Sequence, residues 1–298
     1  MKWIILYRED LEKTAVSAQE MLNNHEIEAT ILPIQNVTNL EDENINSLIK
    51  TATHCVLLDN SLLLEDNVAF FYGYLIGRVK RLYSLNNEWS KNMEYFSNVF
   101  LFSGEDSLVK TLEKQMKTII DEEKTRDAFS NLFNDGIPYT ADCFALYINK
   151  GKLDVCQRFI DAGISINCRT EDGTPMLNVA IRAEQEECVN WILSQKVDID
   201  AVSDDRGYSA VMDAVWKNNL GLTKILIERG ANLNFISRDG QSVLVLAVGA
   251  GNFEICKVLA EAGADPDIKD QMGMSALEYA NLFGKKDIAQ VLQKYHKE

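Results

Sequence analysis

Along the first 134 residues, short apolar runs alternate with stretches whose apolar positions recur at helical spacing. The runs are residues 3–7, 27–34, 55–58, 82–85 and 99–102. Between them, Leu11, Ala15, Ala18 and Leu22 share one helical face, as do Ile45, Leu48, Ile49 and Ala52, and then Leu108, Leu112, Met116 and Ile119. Residues 68–79 are apolar nearly all round, which predicts a helix buried on several sides. Its Gly73 and Gly77 are expected to let it sit close on a sheet. Strand and helix in alternation predict a parallel sheet covered on both faces. About five strands make the flavodoxin-like order the expected one, with ligands at the carboxyl edge of the strands. Residues 121–134 are expected to continue as a linking helix, so that the first region ends near residue 120.

After residue 134 the pattern changes. Of 16 glycines, only Gly73, Gly77 and Gly104 come earlier. Asp172-Gly173-Thr174-Pro175 aligns with Arg206-Gly207-Tyr208-Ser209, Asp239-Gly240-Gln241-Ser242 and Met272-Gly273-Met274-Ser275, the glycines stepping by 34, 33 and 33 residues. Each glycine precedes a short helical stretch with a central alanine (Ala180, Ala214, Ala247, Ala280), then a second with an Ile/Val/Leu ridge. Turns close the first three units at residues 197–200, 230–234 and 263–267. This pattern resembles the ankyrin repeat in period and motif. A worn opening unit lies at 140–167, and the unit from Gly273 lacks the closing turn, as a capping repeat should. The array therefore covers 135–298. The family's histidine is replaced by Asn178, Met212, Val245 and Glu278, which predicts a loss of local hydrogen bonds.

Charge narrows the function classes. The chain has 30 Lys and Arg against 45 Asp and Glu, a net charge of −15 and a pI near 4.7. Residues 1–134 carry 13 basic and 21 acidic side chains, and residues 135–298 carry 17 and 24, so no basic region is hidden in the average. A negative field repels phosphate, which argues against nucleic acid and anionic membrane as partners. The apolar run near the amino end is too short for a signal peptide, and residues 68–77 are half the length of a membrane span. A cytoplasmic location is the expectation. Six separated cysteines without a CxxC pair, and three histidines, predict neither a disulfide framework nor a metal site. Cys156, Cys188 and Cys256 fall on apolar helix faces and read as packing. Gly249-Ala250-Gly251 imitates a dinucleotide loop without a preceding strand, and Asp265, Asp267 and Asp270 imitate a calcium loop whose remainder is missing.

One stretch of the first region is more specific. Asn67-Val68-Ala69-Phe70-Phe71-Tyr72-Gly73-Tyr74-Leu75-Ile76-Gly77-Arg78 is similar to the N-V-x-F-E-L-G-Y-x-x-G-R segment of TIR-like (Toll/interleukin-receptor-like) nucleotide-binding domains, with a related stretch in nucleoside deoxyribosyltransferase-like folds. The resemblance covers roughly residues 1–120. It implies that a glutamate acts on a ribose during N-glycosidic cleavage, where a carboxylate stabilises an oxocarbenium-like state. Phe71 stands at that position, and Glu65 and Asp66, one to two turns earlier on the same helix or just before it, are expected to point elsewhere or sit too far away. Loss of a positioned acid or base slows a reaction by about 10²–10⁴. The resemblance therefore implies a pseudo-enzyme, with no catalytic residue assigned and no cofactor expected. Nucleotide binding stays open, through Tyr7, Arg8, Asp59, Asn60 and Phe71. The alternative is that Arg8 pairs with Glu9 or a helix carboxylate and Phe71 fills a vacated pocket.

The expected architecture is thus an α/β flavodoxin-like, TIR-like parallel-sheet domain followed by an all-α ankyrin solenoid. Ankyrin arrays bind proteins through their turns and the exposed side of the first helices. Repeat position puts Glu171, Asp172, Thr174 and Arg182 there, then Asp205, Arg206, Tyr208, Trp216 and Lys217. The next units add Arg238, Asp239 and Gln241, then Gln271, Met272, Met274 and Phe283. Tyr208, Arg206 and Trp216, the residue types that dominate hot spots, share one repeat. Trp216 has the alternative of shielding a seam between repeats or touching the first domain. The leading reading is a non-catalytic adaptor or scaffold with a protein partner, self-association through the first domain remaining open. The rival is an N-glycosidase or nucleotide hydrolase that the array targets or regulates.

Overall fold

The computed structural model describes residues 1–37, 43–59, 66–85 and 96–296, with side chains throughout except at 36–37, 44–46 and 66–71. Asn60 and Glu65 lie outside the described residues, as do the side chains of Ile45, Asp66 and Phe71. The chain forms two compact units, Met1–Glu123 and Lys124–Glu298.

In the first unit, β1 (Lys2–Tyr7), α1 (Glu12–Asn24), β2 (Glu28–Pro33), α2 (Ile34–Val37), α3 (Glu43–Thr51), β3 (His54–Leu58), α4 (Asp66–Arg78), β4 (Arg81–Leu85) and β5 (Val99–Phe102) follow one another, and α5 (Glu105–Asn134) begins. All pairings are parallel, in the order β2-β1-β3-β4-β5. Successive strand residues point to opposite faces, so Ile5 and Tyr7 of β1 join Val56 and Leu58 on one side, while Ile4 and Leu6 join Cys55 and Leu57 on the other. Leu22 of α1 with Leu108, Leu112 and Met116 of α5 cover the first side. Ile49 of α3 with Tyr72, Leu75 and Ile76 of α4 cover the second. Burial on both faces is why these strands read as unbroken apolar runs.

Helix α4 corrects one expectation. In its described part Tyr72, Leu75 and Ile76 are buried and Tyr74 is half-buried against the same cluster, while the side chains of residues 68–71 lie outside the described residues. Gly73 and Gly77 are exposed, and a Cβ on either would meet nothing within 4 Å, so neither brings the helix close to the sheet.

The second unit contains five antiparallel helix pairs: α6 (Ala141–Asn149) with α7 (Leu153–Asp161), α8 (Met176–Arg182) with α9 (Glu186–Leu193), α10 (Ala210–Trp216) with α11 (Leu220–Glu228), α12 (Val243–Ala250) with α13 (Phe253–Glu261), and α14 (Ala276–Leu282) with α15 (Lys286–Gln293). The boundary between the two units falls inside α5. The central alanines Ala180, Ala214, Ala247 and Ala280 are fully buried where first helices stack. Glycine is required in the turns for two reasons. Gly207 and Gly240 have φ of +69° and +77°, and a Cβ there would lie 2.8 Å from Arg238 N and 2.7 Å from Gln271 N of the next turn. Among the described residues, no helix is long and apolar enough to cross a membrane.

Candidate functional site

The array is tied together along its turns by side chains of Asn and Asp. Asn167 Oδ1 accepts from Asp198 N (2.8 Å), Asp200 Oδ1 from Asn232 N (2.8 Å) and Asn234 Oδ1 from Asp265 N (2.9 Å). Within each turn, Asp198, Asn232 and Asp265 accept the N–H two residues on. His296 Nδ1 meets Asp267 Oδ1 at 2.6 Å in the last unit. Each turn therefore holds the next by backbone N–H groups, and Asp265 and Asp267 are accounted for without a cation. Asp270 likewise accepts from Met272 N, Met274 N and the Tyr279 hydroxyl.

On this framework the first helices and turns present their side chains. Trp216, at the end of α10, is 57% exposed, and the Arg206 guanidinium lies 5.3 Å from its ring centre. The same guanidinium lies 5.8 Å from the Tyr208 ring, which meets Trp216 edge to face. Tyr208 itself is only 4% exposed, which corrects its assignment to the accessible surface. It fills the seam towards the next repeat, its hydroxyl 3.4 Å from Gln241 Oε1. Thr174, one residue after its own turn glycine as Tyr208 is, is buried too.

Arg182 is also less available than repeat position suggests. It donates to Asp213 Oδ2 (2.9 Å) through Nε, to Asp205 Oδ2 (2.9 Å) through Nη1 and to Ser203 Oγ (2.8 Å). Asp213 is buried, and Asn178 Nδ2 donates to the same oxygen (2.7 Å) and to the Tyr208 carbonyl (3.1 Å). Asn178 thus makes hydrogen bonds where their loss was expected. Burial pushes the Asp213 carboxyl above its ordinary range, against the pull of Arg182. For Asp205 burial also raises, but hydrogen bonds from Arg182 and Ser203 prevail and hold it well below the usual carboxylate range. Asp213 was not anticipated from the sequence; an aspartate inside an otherwise apolar first helix was the available signal.

The remaining positions divide. Lys217 pairs with Glu184 (2.8 Å), and Arg238 is exposed, its backbone carbonyl accepting from Gln271 Nε2. Met272 is 78% exposed and Phe283 54%, with Phe283 stacked on Tyr279; Met274 is half-buried. At the other end of the array an open groove of about 460 Å³ runs between α6 and α8, lined by Asp142, Leu146, Asp172 and Arg182 among others. The amino-terminal part of the face carries Asp142, Glu171 and Asp172, and the later part carries the exposed aromatics, with Arg206, Lys217 and Arg238 beside Asp205 and Asp239.

The profile of ankyrin repeats (3 copies) matches residues 143–237 and 211–298, together more than half of the chain. The chain belongs to the ankyrin-repeat family. It is 28% identical over 202 residues to an ankyrin repeat-containing protein of Treponema pallidum (strain Nichols), covering 67% of this chain and 68% of that protein. The B-cell lymphoma 3 protein homolog of Mus musculus is 33% identical over 81 residues, 27% of this chain and 18% of that protein. Among solved structures, the ankyrin repeat domain of Bcl-3 is 27% identical over 51% of this chain and 67% of that one, with a TM-score of 0.47. Membership of this family supports a protein–protein interaction role.

In the first unit, Arg8 and Asp59 directly follow β1 and β3, the neighbouring strands between which the winding of the sheet reverses. Arg8 Nη1 lies 3.7 Å from Asp59 Oδ1, and the Tyr72 hydroxyl donates to Asp59 Oδ2 (2.6 Å). Among the described residues, Arg8 thus faces a strand-end carboxylate rather than Glu9. Glu9 accepts from Gln35. Asp59 and Tyr72 are buried while Arg8 is half exposed. Burial first, then the hydrogen bond to Asp59, raises the Tyr72 hydroxyl above its ordinary value, and burial raises Tyr7. Tyr7 belongs to the core beneath this edge.

Proposed function

We propose that the chain is an adaptor that captures a protein partner on the turn-and-first-helix face of its ankyrin array, centred on Trp216. The exposed Trp216 ring under the Arg206 guanidinium carries this reading. At the same repeat position the neighbours are the locked Arg182 and Gly249, so stacking of the array does not demand a large aromatic there. Trp and Arg dominate binding hot spots because they combine large area with charge. Trp216→Ala is expected to weaken partner capture by roughly 2–4 kcal/mol with little change in Tm. A large fall in Tm with unchanged affinity rejects the assignment and makes Trp216 a seam residue.

The first unit is read as a TIR-like domain without its catalytic glutamate, serving as scaffold or nucleotide sensor. The sheet order and the Arg8–Asp59–Tyr72 group at the reversal point favour a nucleotide there. Incubation with NAD and a panel of nucleotides, followed by mass spectrometry, reads both bound ligand and cleavage. Cleavage lost on Asp59→Asn would replace the adaptor by an enzyme that the array regulates.

A further inference from the structure

The row of equivalent positions nine residues after each turn glycine reads Arg182, Trp216, Gly249 and Leu282. Trp216 and Leu282 are exposed, and Gly249 and Ala250 lie exposed between them. A Cβ on Gly249 would meet nothing within 4 Å, so the space above this point of α12 is open. The first helices of adjacent repeats stack about 8–10 Å apart. The two walls therefore stand about 16–20 Å apart between axes, wide enough for a peptide segment to lay a side chain on the Gly249–Ala250 floor.

Each wall carries a cation held against a ring. Arg206 lies over Trp216, and Lys285 Nζ is 5.8 Å from the Phe283 ring while donating to the Val248 carbonyl at the end of α12. Among the described residues, no carboxylate forms an ion pair with Arg206, Arg238 or Lys285. Of the nearby acids, Asp270 is engaged by Tyr279 and two backbone N–H groups, and Glu278 by Ser275 N. Asp239 remains in the turn before α12. In a chain with net charge −15, Arg206 and Lys285 are thus cations set against rings beside the apolar walls of this hollow, with no carboxylate at ion-pair distance among the described residues.

From this juxtaposition we infer that the hollow takes an acidic segment of a protein partner, with one large apolar side chain seated on Gly249 and Ala250 and a flanking carboxylate meeting Arg206 or Lys285. The inference rests on the reading of this face as protein-binding and adds the chemistry of the partner. A fully or partly desolvated cation–carboxylate contact next to an apolar anchor gives both orientation and selectivity.

Random peptides of about twelve residues, displayed on phage and selected on the full chain, test it. The expected pool places Asp or Glu beside Phe, Trp or Leu, and about tenfold or more of its enrichment is lost on Gly249→Leu. That variant keeps the wild-type Tm or exceeds it, because the added side chain enters open space on a helix. A pool without acidic preference, a pool that Gly249→Leu retains, or no enrichment at all overturns the inference. Selection on Trp216→Ala separates the two levels. Peptides insensitive to Gly249→Leu but lost on Trp216→Ala leave the binding face standing, whereas peptides insensitive to both remove the face as well.

Discussion

The two units dispose of their polar groups in opposite ways. In the α/β unit, both faces of the central strands are apolar and the buried polar groups gather at the strand ends. Arg8, Asp59 and Tyr72 meet at the carboxyl edge, and His54, Lys80 and Glu123 at the amino edge, with Lys80 Nζ 2.7 Å from Glu123. In the ankyrin array, polar groups are distributed instead, one set at each seam, as in the Asn and Asp ladder and the Asn178–Arg182–Asp213 cluster. A sheet brings together residues distant in sequence, so a few groups carry much of its stability. A repeat array divides the same burden among similar seams.

The sharpest contrast should come from the sheet interior. Leu57→Ala, in the fully buried centre of β3, is expected to cost about 2–5 kcal/mol, read from urea denaturation with a probe in the first unit. Next is pH. Burial in the stack on Trp3 pushes His54 down to about 4, with Glu123 opposing and Arg81, Lys80 and the amino terminus assisting. The unfolded chain therefore binds a proton that the folded unit refuses between about pH 6.5 and 4. Stability is full above that window and falls as pH drops through it, by roughly 2–4 kcal/mol. His54→Phe should flatten this slope, and hydrogen exchange at β1 and β3 reads it.

Seams should respond less. Asp213→Ala is expected to cost about 1–3 kcal/mol, because Arg182 keeps Asp205 and Asn178 keeps the Tyr208 carbonyl. Asp213→Asn should cost less. A Leu57→Ala effect smaller than that of Asp213→Ala would break the contrast. The smallest effects have opposite signs. Gly207→Ala should lose more than about 1 kcal/mol, since its φ is positive and the next turn is in the way. Gly249→Ala should gain about 0.5–1 kcal/mol.

What the sequence disclosed follows the same division. Apolar runs located the central strands β1, β3 and β4 because burial on both faces removes polar residues from them, and the glycine period located the helix pairs because each turn needs a positive φ. Residues whose surroundings come from another repeat were not legible. Tyr208 shares its position with Gln241, a half-buried polar residue, and nothing local says that the ring packs into the seam. Asn178 and Asp213 lie 35 residues apart and meet only when the array stacks. Gly73 and Gly77 suggested close approach, yet the bulky Tyr72, Leu75 and Ile76 face the sheet and the glycines face away. The Arg8–Asp59 contact was within reach, because these residues directly follow the paired ends of the parallel neighbours β1 and β3, Tyr7 and Leu58.

The most direct test is photo-crosslinking at the proposed contact itself. Benzoylphenylalanine in place of Trp216 is compared with the same group in place of Glu261, exposed at the end of the second helix α13. A protein adduct at position 216 that excess wild-type chain suppresses, with none at position 261, is the predicted result. An adduct at position 261 and none at 216 would contradict the assignment of the turn-and-first-helix face as the surface that captures a partner.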